Sequence, residues 1–185
     1  MINLPNVLSA LRILAVLAIA VLLAGPWGPY TRAALLVFLL AAITDFLDGY
    51  FARAWGQVTA LGRMLDSIAD KLLIGVTLLL LCGSGTISGI HVLAAAIILF
   101  REIGVSGLRE HLSEHGVVVP ASMSGKWKMT LQLIALAALM AAPLMPFPEL
   151  AHLSALTILW LAAALSVWSG AEYVWGSRSA WAADK

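Results

Sequence analysis

Long apolar runs, separated by short turns rich in glycine, proline or polar residues, make up most of this chain. A membrane-spanning helix needs ~20 predominantly apolar residues, and glycine and proline mark the strongest breaks between the runs. The pattern predicts an all-α integral membrane protein with six transmembrane helices, over about these ranges: Val7–Ala24, Thr31–Arg53, Ala60–Cys82, Ile87–Leu108, Lys126–Ala142 and Leu150–Trp175.

The first residues of the chain have a different character from the apolar runs. Pro5 suits the first turn of a helix, and Asn3 or Asn6 could cap it. We predict a short N-terminal interfacial helix that runs into the first span. Residues 1–185 are expected to form a single membrane domain.

The composition indicates a lipid environment. Hydrophobic residues make up 62% of the chain and charged residues only 11%, whereas soluble domains carry about 25% charged residues. A net charge of +1 gives no indication of a nucleic-acid partner. The single cysteine, Cys82, cannot form an internal disulfide.

Lysine and arginine are distributed very unevenly over the predicted turns. Cytoplasmic loops of membrane proteins carry an excess of these residues. With a cytoplasmic N-terminus and six spans, all 11 basic residues except Arg32 fall on the cytoplasmic side. The distribution predicts a multi-pass protein of the inner (cytoplasmic) membrane, with both termini in the cytoplasm.

Four aspartates interrupt this apolar background. Asp45 and Asp48 end the second predicted span, and Asp66 and Asp70 begin the third. A carboxylate at membrane depth costs at least ~2.5 kcal/mol. Residues three or four apart share a helix face, and a short turn makes the two spans antiparallel neighbours, so the two pairs should converge at the cytoplasmic face. Carboxylate oxygens suit magnesium, and the group predicts two bound divalent cations, Mg²⁺ or Mn²⁺.

Two other interpretations of the aspartates remain open at this point. They could form salt bridges within the membrane with Arg53, Arg63 and Lys71. They could also line the pathway of a divalent-cation transporter, although transport sites usually lie near the bilayer midplane, and these carboxylates lie near one face.

The spacing Asp45-x2-Asp48-Gly49-x2-Ala52-Arg53-x8-Gly62-x3-Asp66-x3-Asp70 resembles the signature of the CDP-alcohol phosphotransferase family. The resemblance implies an enzyme that displaces CMP from a CDP-linked donor with an acceptor hydroxyl, and it implies a homodimer. It also implies roles for these residues: the four aspartates as ligands of two metal ions, Asp70 as the general base as well, Gly49, Ala52, Arg53 and Gly62 in the CDP site, and Asn6 beside the nucleotide.

The acceptor is indicated by a second group of residues. Arg101, Arg109 and Lys126 lie at the cytoplasmic ends of the fourth and fifth spans, where they favour an acceptor that carries a phosphate. The segments 100–109 and 120–130 resemble the phosphatidylglycerophosphate synthase subfamily. This resemblance implies CDP-diacylglycerol as donor and sn-glycerol 3-phosphate as acceptor. An inositol phosphate or phosphatidylglycerol is the alternative acceptor.

Overall fold

The structure is a computed structural model that describes residues 4–24, 32–54, 60–115 and 123–177. At positions 4–6, 46–54, 60, 61 and 63 it describes the helical backbone without the side chains. The described residues form six α-helices, and no strand occurs among them. The helices are α1 (Leu4–Ala24), α2 (Arg32–Ala54), α3 (Ala60–Gly83), α4 (Val92–Glu114), α5 (Met123–Ala141) and α6 (Pro148–Gly176).

The helix boundaries follow the predicted spans, with differences that have local causes. The helix α1 runs without a break from Leu4, so the predicted interfacial segment is its first turn within the described residues. Gly85 and Gly89 have left-handed φ angles of 80° and 57°, which glycine adopts readily, so α4 begins later than Ile87. The helix α6 begins at Pro148, because proline lacks the N–H group that a first turn leaves unpaired.

The far end of α4 also differs from the prediction. The polar segment that follows Leu108 continues the helix as far as Glu114. Val105 and Leu112 are buried there beside Tyr173 of α6. This contact with α6 explains why the segment stays helical even though it is polar.

The helices pack as two groups of three. The helix α1 packs against α2 and α3, and α6 packs against α4 and α5. Contacts of α2 with α5, and of α3 with α4 and α5, join the groups. The core between them draws a buried apolar side chain from each helix: Ile19, Phe38, Leu73, Ile98, Leu136 and Leu159.

Large apolar side chains also cover the outside of the bundle, including Val21 (73% exposed) and Phe100 (82% exposed). Exposing so much apolar surface to water would be unfavourable, whereas contact with lipid would not be. By length and composition, four described segments can cross a membrane: Val7–Ala24, Gly89–Glu114, Met123–Leu144 and Pro148–Gly176. These four segments make the chain a multi-pass membrane protein.

The two helices that carry the aspartates are not among these four segments. Every 18-residue stretch of α3 contains three charged residues, Asp66, Asp70 and Lys71, which interrupt its apolar sequence. In α2 the side chains are described only as far as Asp45, so its described apolar part is short. The six predicted spans therefore correspond to six helices, and four of these are long and apolar enough to cross a membrane.

Candidate active site

Three of the four predicted metal ligands meet beside α1, on the helices α2 and α3 that both pack against it. Asp45, Asp66 and Asp70 each offer a carboxylate oxygen, and these oxygens lie within 4.8 Å of one another. Asp66 and Asp70 share a face of α3 because they are four residues apart. Their side chains are partly accessible, with 21% of Asp45, 45% of Asp66 and 28% of Asp70 exposed.

This aspartate cluster fits a hard divalent cation. Magnesium takes oxygen ligands at ~2.0–2.1 Å and usually keeps several water molecules or substrate phosphates in its shell. Three converging carboxylates that remain partly exposed supply such ligands and leave space for others. The fourth predicted ligand, Asp48, lies on the α2 backbone, and its side chain is outside the described residues.

Among the described side chains, Arg12 of α1 brings a positive charge to the aspartate cluster. Its Nη1 atom lies 2.8 Å from Oδ1 of Asp45, 2.9 Å from Oδ1 of Asp66 and 3.2 Å from Oδ1 of Asp70. The Arg12 side chain is completely buried. Of the three cations that the sequence offered as salt-bridge partners, Lys71 contacts the Ser67 hydroxyl. The side chains of Arg53 and Arg63 lie outside the described residues, so their part in such salt bridges stays a prediction.

A cavity of about 250 Å³ opens beside Asp70 at the junction of the two helix groups. All three predicted acceptor-binding cations, Arg101, Arg109 and Lys126, line it. Its lining also includes Lys71, whose Nζ lies 2.6 Å from the Ser67 hydroxyl. The arrangement puts a carboxylate of the aspartate cluster and a strongly positive pocket side by side.

A hydrogen-bonded network supports one wall of the cavity. The Glu102 carboxylate binds the Lys128 ammonium group and accepts a hydrogen bond from the Gln132 amide at 3.1 Å. Gln132 also donates to the Ser166 hydroxyl at 3.0 Å, so the network joins α4, α5 and α6. Nη1 of Arg101 lies 3.5 Å from the other Glu102 oxygen.

Two polar groups among the residues lining the cavity have no hydrogen-bond partner in the described part of the chain. The Tyr173 hydroxyl and the Arg101 Nε are buried without a hydrogen bond to any described residue. Leaving a buried donor unpaired costs about 1–3 kcal/mol. The Arg109 guanidinium carbon lies 5.5 Å from the centre of the Tyr173 ring. All three residues line the cavity, which therefore offers hydrogen-bond donors that suit an anion.

The residues predicted for the CDP site are described only in part. Gly62 lies one turn before Asp66 on α3. The helical backbone of α1 contains Asn6, and that of α2 contains Gly49, Ala52 and Arg53, but their side chains lie outside the described residues. The CDP-site assignments therefore stay predictions.

Sequence reasoning did not place Arg12 against the aspartates, and it missed Tyr173 and Glu102 as site residues. A signal for Arg12 was present, because it falls in a stripe of buried α1 positions that also contains Ser9, Val16, Ile19 and Leu23. An arginine at a core position of an apolar helix requires a buried acidic partner. Tyr173 gave no comparable signal, since its proximity to Arg109 arises only from the packing of α6 on α4.

Comparison with known proteins gives a consistent result. A family model described as CDP-alcohol phosphatidyltransferase matches residues 2–168. The CDP-diacylglycerol–glycerol-3-phosphate 3-phosphatidyltransferase of Rickettsia bellii is 42% identical over 173 residues, which are 92% of this chain and 93% of that protein. The protein of the same name from Haemophilus influenzae is 35% identical, over 93% of this chain and 91% of its own length.

Two further matches extend this picture. The protein of the same name from Cereibacter sphaeroides is 41% identical over 140 residues, which are 74% of this chain and only 62% of that relative's length. Among solved structures, the apo phosphatidylinositol phosphate synthase of Mycobacterium tuberculosis is similar with a TM-score of 0.68. It is 22% identical, with 94% of this chain and 88% of that chain covered, and it supports the fold alone.

Proposed function

The chain belongs to the CDP-alcohol phosphatidyltransferase family, and we propose that it transfers the phosphatidyl group of CDP-diacylglycerol to sn-glycerol 3-phosphate. The products are CMP and phosphatidylglycerophosphate. The names of the Rickettsia and Haemophilus relatives give this donor and this acceptor. Their alignments extend over more than nine-tenths of both chains, which supports carrying the activity over to this protein.

One observation carries the proposal. Asp70 belongs both to the aspartate cluster and to the lining of the cation-rich cavity. The aspartate cluster suits a metal-bound diphosphate, and the cavity suits an acceptor that bears a phosphate. A hydroxyl held between the two sites would lie beside a carboxylate that can take its proton.

The donor half of the proposed site lies on α2 and α3. We assign Asp45, Asp48, Asp66 and Asp70 as ligands of two divalent cations, Mg²⁺ or Mn²⁺. When bound, such ions offset the charge of the diphosphate and of the oxygens that attack and leave. The CDP group is assigned to Asn6, Gly49, Ala52, Arg53 and Gly62 on the strength of the family resemblance.

The acceptor half of the proposed site is the cavity. Arg101, Arg109 and Lys126 supply positive charge for the acceptor's phosphate, and arginine can bind phosphate with two parallel hydrogen bonds. The Tyr173 hydroxyl adds a buried donor with no partner among the described residues. Lys128 already forms an ion pair with Glu102. We therefore assign Lys128 to the wall of the cavity and not to acceptor binding.

The proposed step is a single displacement at phosphorus. Asp70 takes the proton of the acceptor hydroxyl while that oxygen bonds to the phosphatidyl phosphorus. The bond between this phosphorus and the CMP oxygen breaks, and its electron pair leaves with CMP. Most of the catalytic effect of the chain comes from holding the two substrates in line, as is general for phosphoryl transfer.

The same proposal covers location and assembly. We infer a single membrane domain in the inner (cytoplasmic) membrane with its active site on the cytoplasmic face, because the basic residues concentrate at the level of the aspartates. A homodimer follows from the family resemblance and is the commonest closed assembly.

An acceptor panel tests the function directly. Purified protein in detergent, with Mn²⁺ or Mg²⁺ and labelled CDP-diacylglycerol, is offered sn-glycerol 3-phosphate, an inositol phosphate, phosphatidylglycerol, or no acceptor. We expect CMP release that depends on sn-glycerol 3-phosphate and stops when the metal is chelated. Equal release with another acceptor, or with none, would contradict the assignment.

The Asp70→Asn variant tests the proposed base. Loss of general-base catalysis typically costs 10²–10⁴-fold, and we expect a loss of at least that size because Asp70 is also a proposed metal ligand. CMP binding, measured by calorimetry, should survive. The exposed Glu110 at the end of α4 provides the control variant Glu110→Gln, which should keep normal turnover. Divalent-cation flux into proteoliposomes without CMP release would favour a transporter instead.

A further inference from the structure

A single arginine nitrogen holds three carboxylates of the candidate metal site. Nη1 of Arg12 lies between 2.8 and 3.2 Å from Oδ1 of Asp45, Asp66 and Asp70. The arginine comes from α1 and the carboxylates come from α2 and α3. Arg12 therefore ties together the three helices that build the donor half of the site.

The need for this contact follows from electrostatics. Three carboxylate oxygens within 4.8 Å of one another repel strongly where the surroundings are apolar. The arginine side chain stays protonated in proteins, and that of Arg12 is completely buried. Its charge offsets the repulsion and keeps the carboxylates converged.

Arg12 and a divalent cation compete for the same three oxygens. Metal–oxygen distances are ~2.0–2.6 Å for Mg²⁺ and Ca²⁺. An ion coordinated by the three Oδ1 atoms would be in contact with Nη1, which those atoms also surround. Two positive groups cannot share this position at favourable energy.

We propose that Arg12 is a positioning residue that holds the metal-ligating aspartates together and leaves their oxygens when a divalent cation binds. The proposal rests on the proposed function, because it takes the aspartate cluster as the metal site. It differs from an ordinary structural salt bridge, which would persist in the metal-loaded protein and would not oppose metal binding.

Metal binding itself provides the test, independently of activity. Mn²⁺ binding to the purified full chain in detergent is followed by electron paramagnetic resonance, and the Tm is measured without divalent ions. We expect Arg12→Met, which keeps an apolar stem and removes the charge, to bind Mn²⁺ roughly tenfold tighter or more, and to have a lower Tm without metal. Arg12→Lys keeps the charge, so its Mn²⁺ affinity should stay close to that of the wild type.

Two further variants make the result interpretable. Arg32→Met removes an exposed arginine at the start of α2, and it should change neither the Mn²⁺ affinity nor the Tm. Arg12→Gln is neutral but keeps an amide donor, so it carries the same expectation as Arg12→Met if the methionine variant does not fold.

The possible outcomes separate this inference from the proposed function. Unchanged or weaker Mn²⁺ binding in the neutral variants would overturn the role of Arg12. If the wild type also released CMP with sn-glycerol 3-phosphate, the proposed function would stand without it. Absence of Mn²⁺ binding in the wild type and in both neutral variants would overturn the metal site and this inference together.

Discussion

The Tyr173 hydroxyl is a polar group that the described part of the protein buries without satisfying it. A site that offers a buried donor to a substrate loses much of its affinity when that donor is removed. We expect Tyr173→Phe to raise the KM for sn-glycerol 3-phosphate about 10- to 100-fold, the range for a hydrogen bond to a charged group. The KM for CDP-diacylglycerol should stay the same, and steady-state CMP release measures both constants.

Thermal unfolding distinguishes substrate recognition from a structural role of Tyr173. Without acceptor, Tyr173→Phe should unfold at the same temperature as the wild type or higher, because the Tyr173 hydroxyl makes no hydrogen bond to any described residue. Thr77 provides the matched control, since its hydroxyl is also buried without a described partner but lies outside the cavity. Thr77→Val should leave both KM values unchanged. A lower Tm with an unchanged acceptor KM in Tyr173→Phe would contradict the proposed role.

Single residues also show where sequence reasoning succeeds and where it stops. The convergence of Asp45, Asp66 and Asp70 was predicted from helical spacing and a short turn, both of which are local properties. The contacts of Arg12 with these residues depend on how α1 is rotated against α2 and α3. That rotation is set by the packing of the whole bundle, so only the stripe of buried α1 positions could have indicated it.

At the level of helices, the Glu102 network fixes α4 against α5 and α6. Glu102→Gln would leave the buried Lys128 without its counter-charge, and breaking such a pair costs about 3–5 kcal/mol. We expect a fall in Tm of roughly 6–20 °C, from the usual 2–4 °C per kcal/mol for a chain of this size. The double variant Glu102→Gln/Lys128→Met removes both charges and should recover much of this loss, as thermal unfolding in detergent would show.

A glutamate at the surface of the same helix group provides a control for the Glu102 variant. Glu172 is exposed and accepts hydrogen bonds from Ser124 and Trp168. Surface polar contacts contribute little to stability, so Glu172→Gln should hardly change the Tm. A double variant no more stable than Glu102→Gln alone would show that the charge pair is not the cause.

Close approach of α4 and α6 depends on Gly170. A Cβ atom at this position would lie 3.2 Å from Cγ of Arg101 and 3.7 Å from Cγ2 of Val105. Gly170→Ala should therefore push the Arg101 side chain from its rotamer, at a cost of about 0.5–1.5 kcal/mol. We expect the KM for sn-glycerol 3-phosphate to rise about two- to tenfold, without a change in the KM for CDP-diacylglycerol.

Gly104 gives a matched control for this substitution. It lies on α4, and a Cβ added there would meet nothing within 4 Å. Gly104→Ala should leave the acceptor KM unchanged and should stabilise the helix by up to ~1 kcal/mol. An acceptor KM that is unaffected by Gly170→Ala would mean that Arg101 has room to adjust.

The helix boundaries were predictable to different degrees for physical reasons. Apolar runs fixed the existence and order of all six helices, because burial in lipid favours a helix wherever such a run occurs. The start of α4 was missed, since the left-handed conformations of Gly85 and Gly89 extend the turn. The end of α4 was missed because its last turns are stabilised by Tyr173, far away in the sequence.

For the whole molecule, the site lies where the two groups of three helices meet. Its residues lie mainly in the first halves of α1, α3 and α5 and in the second halves of α2 and α6, and those of α4 extend from the middle of the helix at Arg101 to Arg109 near its end. Six helices that contribute alternate ends to one level must alternate in direction. The residues proposed for the donor belong to the first group and those proposed for the acceptor to the second, with Asp70 at their junction.

This alternation leads to a prediction about topology. The turns at Ser88 and Met145, both exposed, should face the side of the membrane opposite to the aspartates, and Ser113 near the end of α4 should face the same side as the aspartates. Because positive loops stay in the cytoplasm, the aspartate side should be cytoplasmic.

The measurement uses single-cysteine variants in a Cys82→Ser background, expressed in bacterial cells and treated with a membrane-impermeant maleimide. Ser88→Cys and Met145→Cys should react in intact spheroplasts, whereas Ser113→Cys should react only after permeabilisation. The reverse pattern would put the active site outside the cytoplasm, and labelling of all three positions from one side would contradict the alternation of the helices.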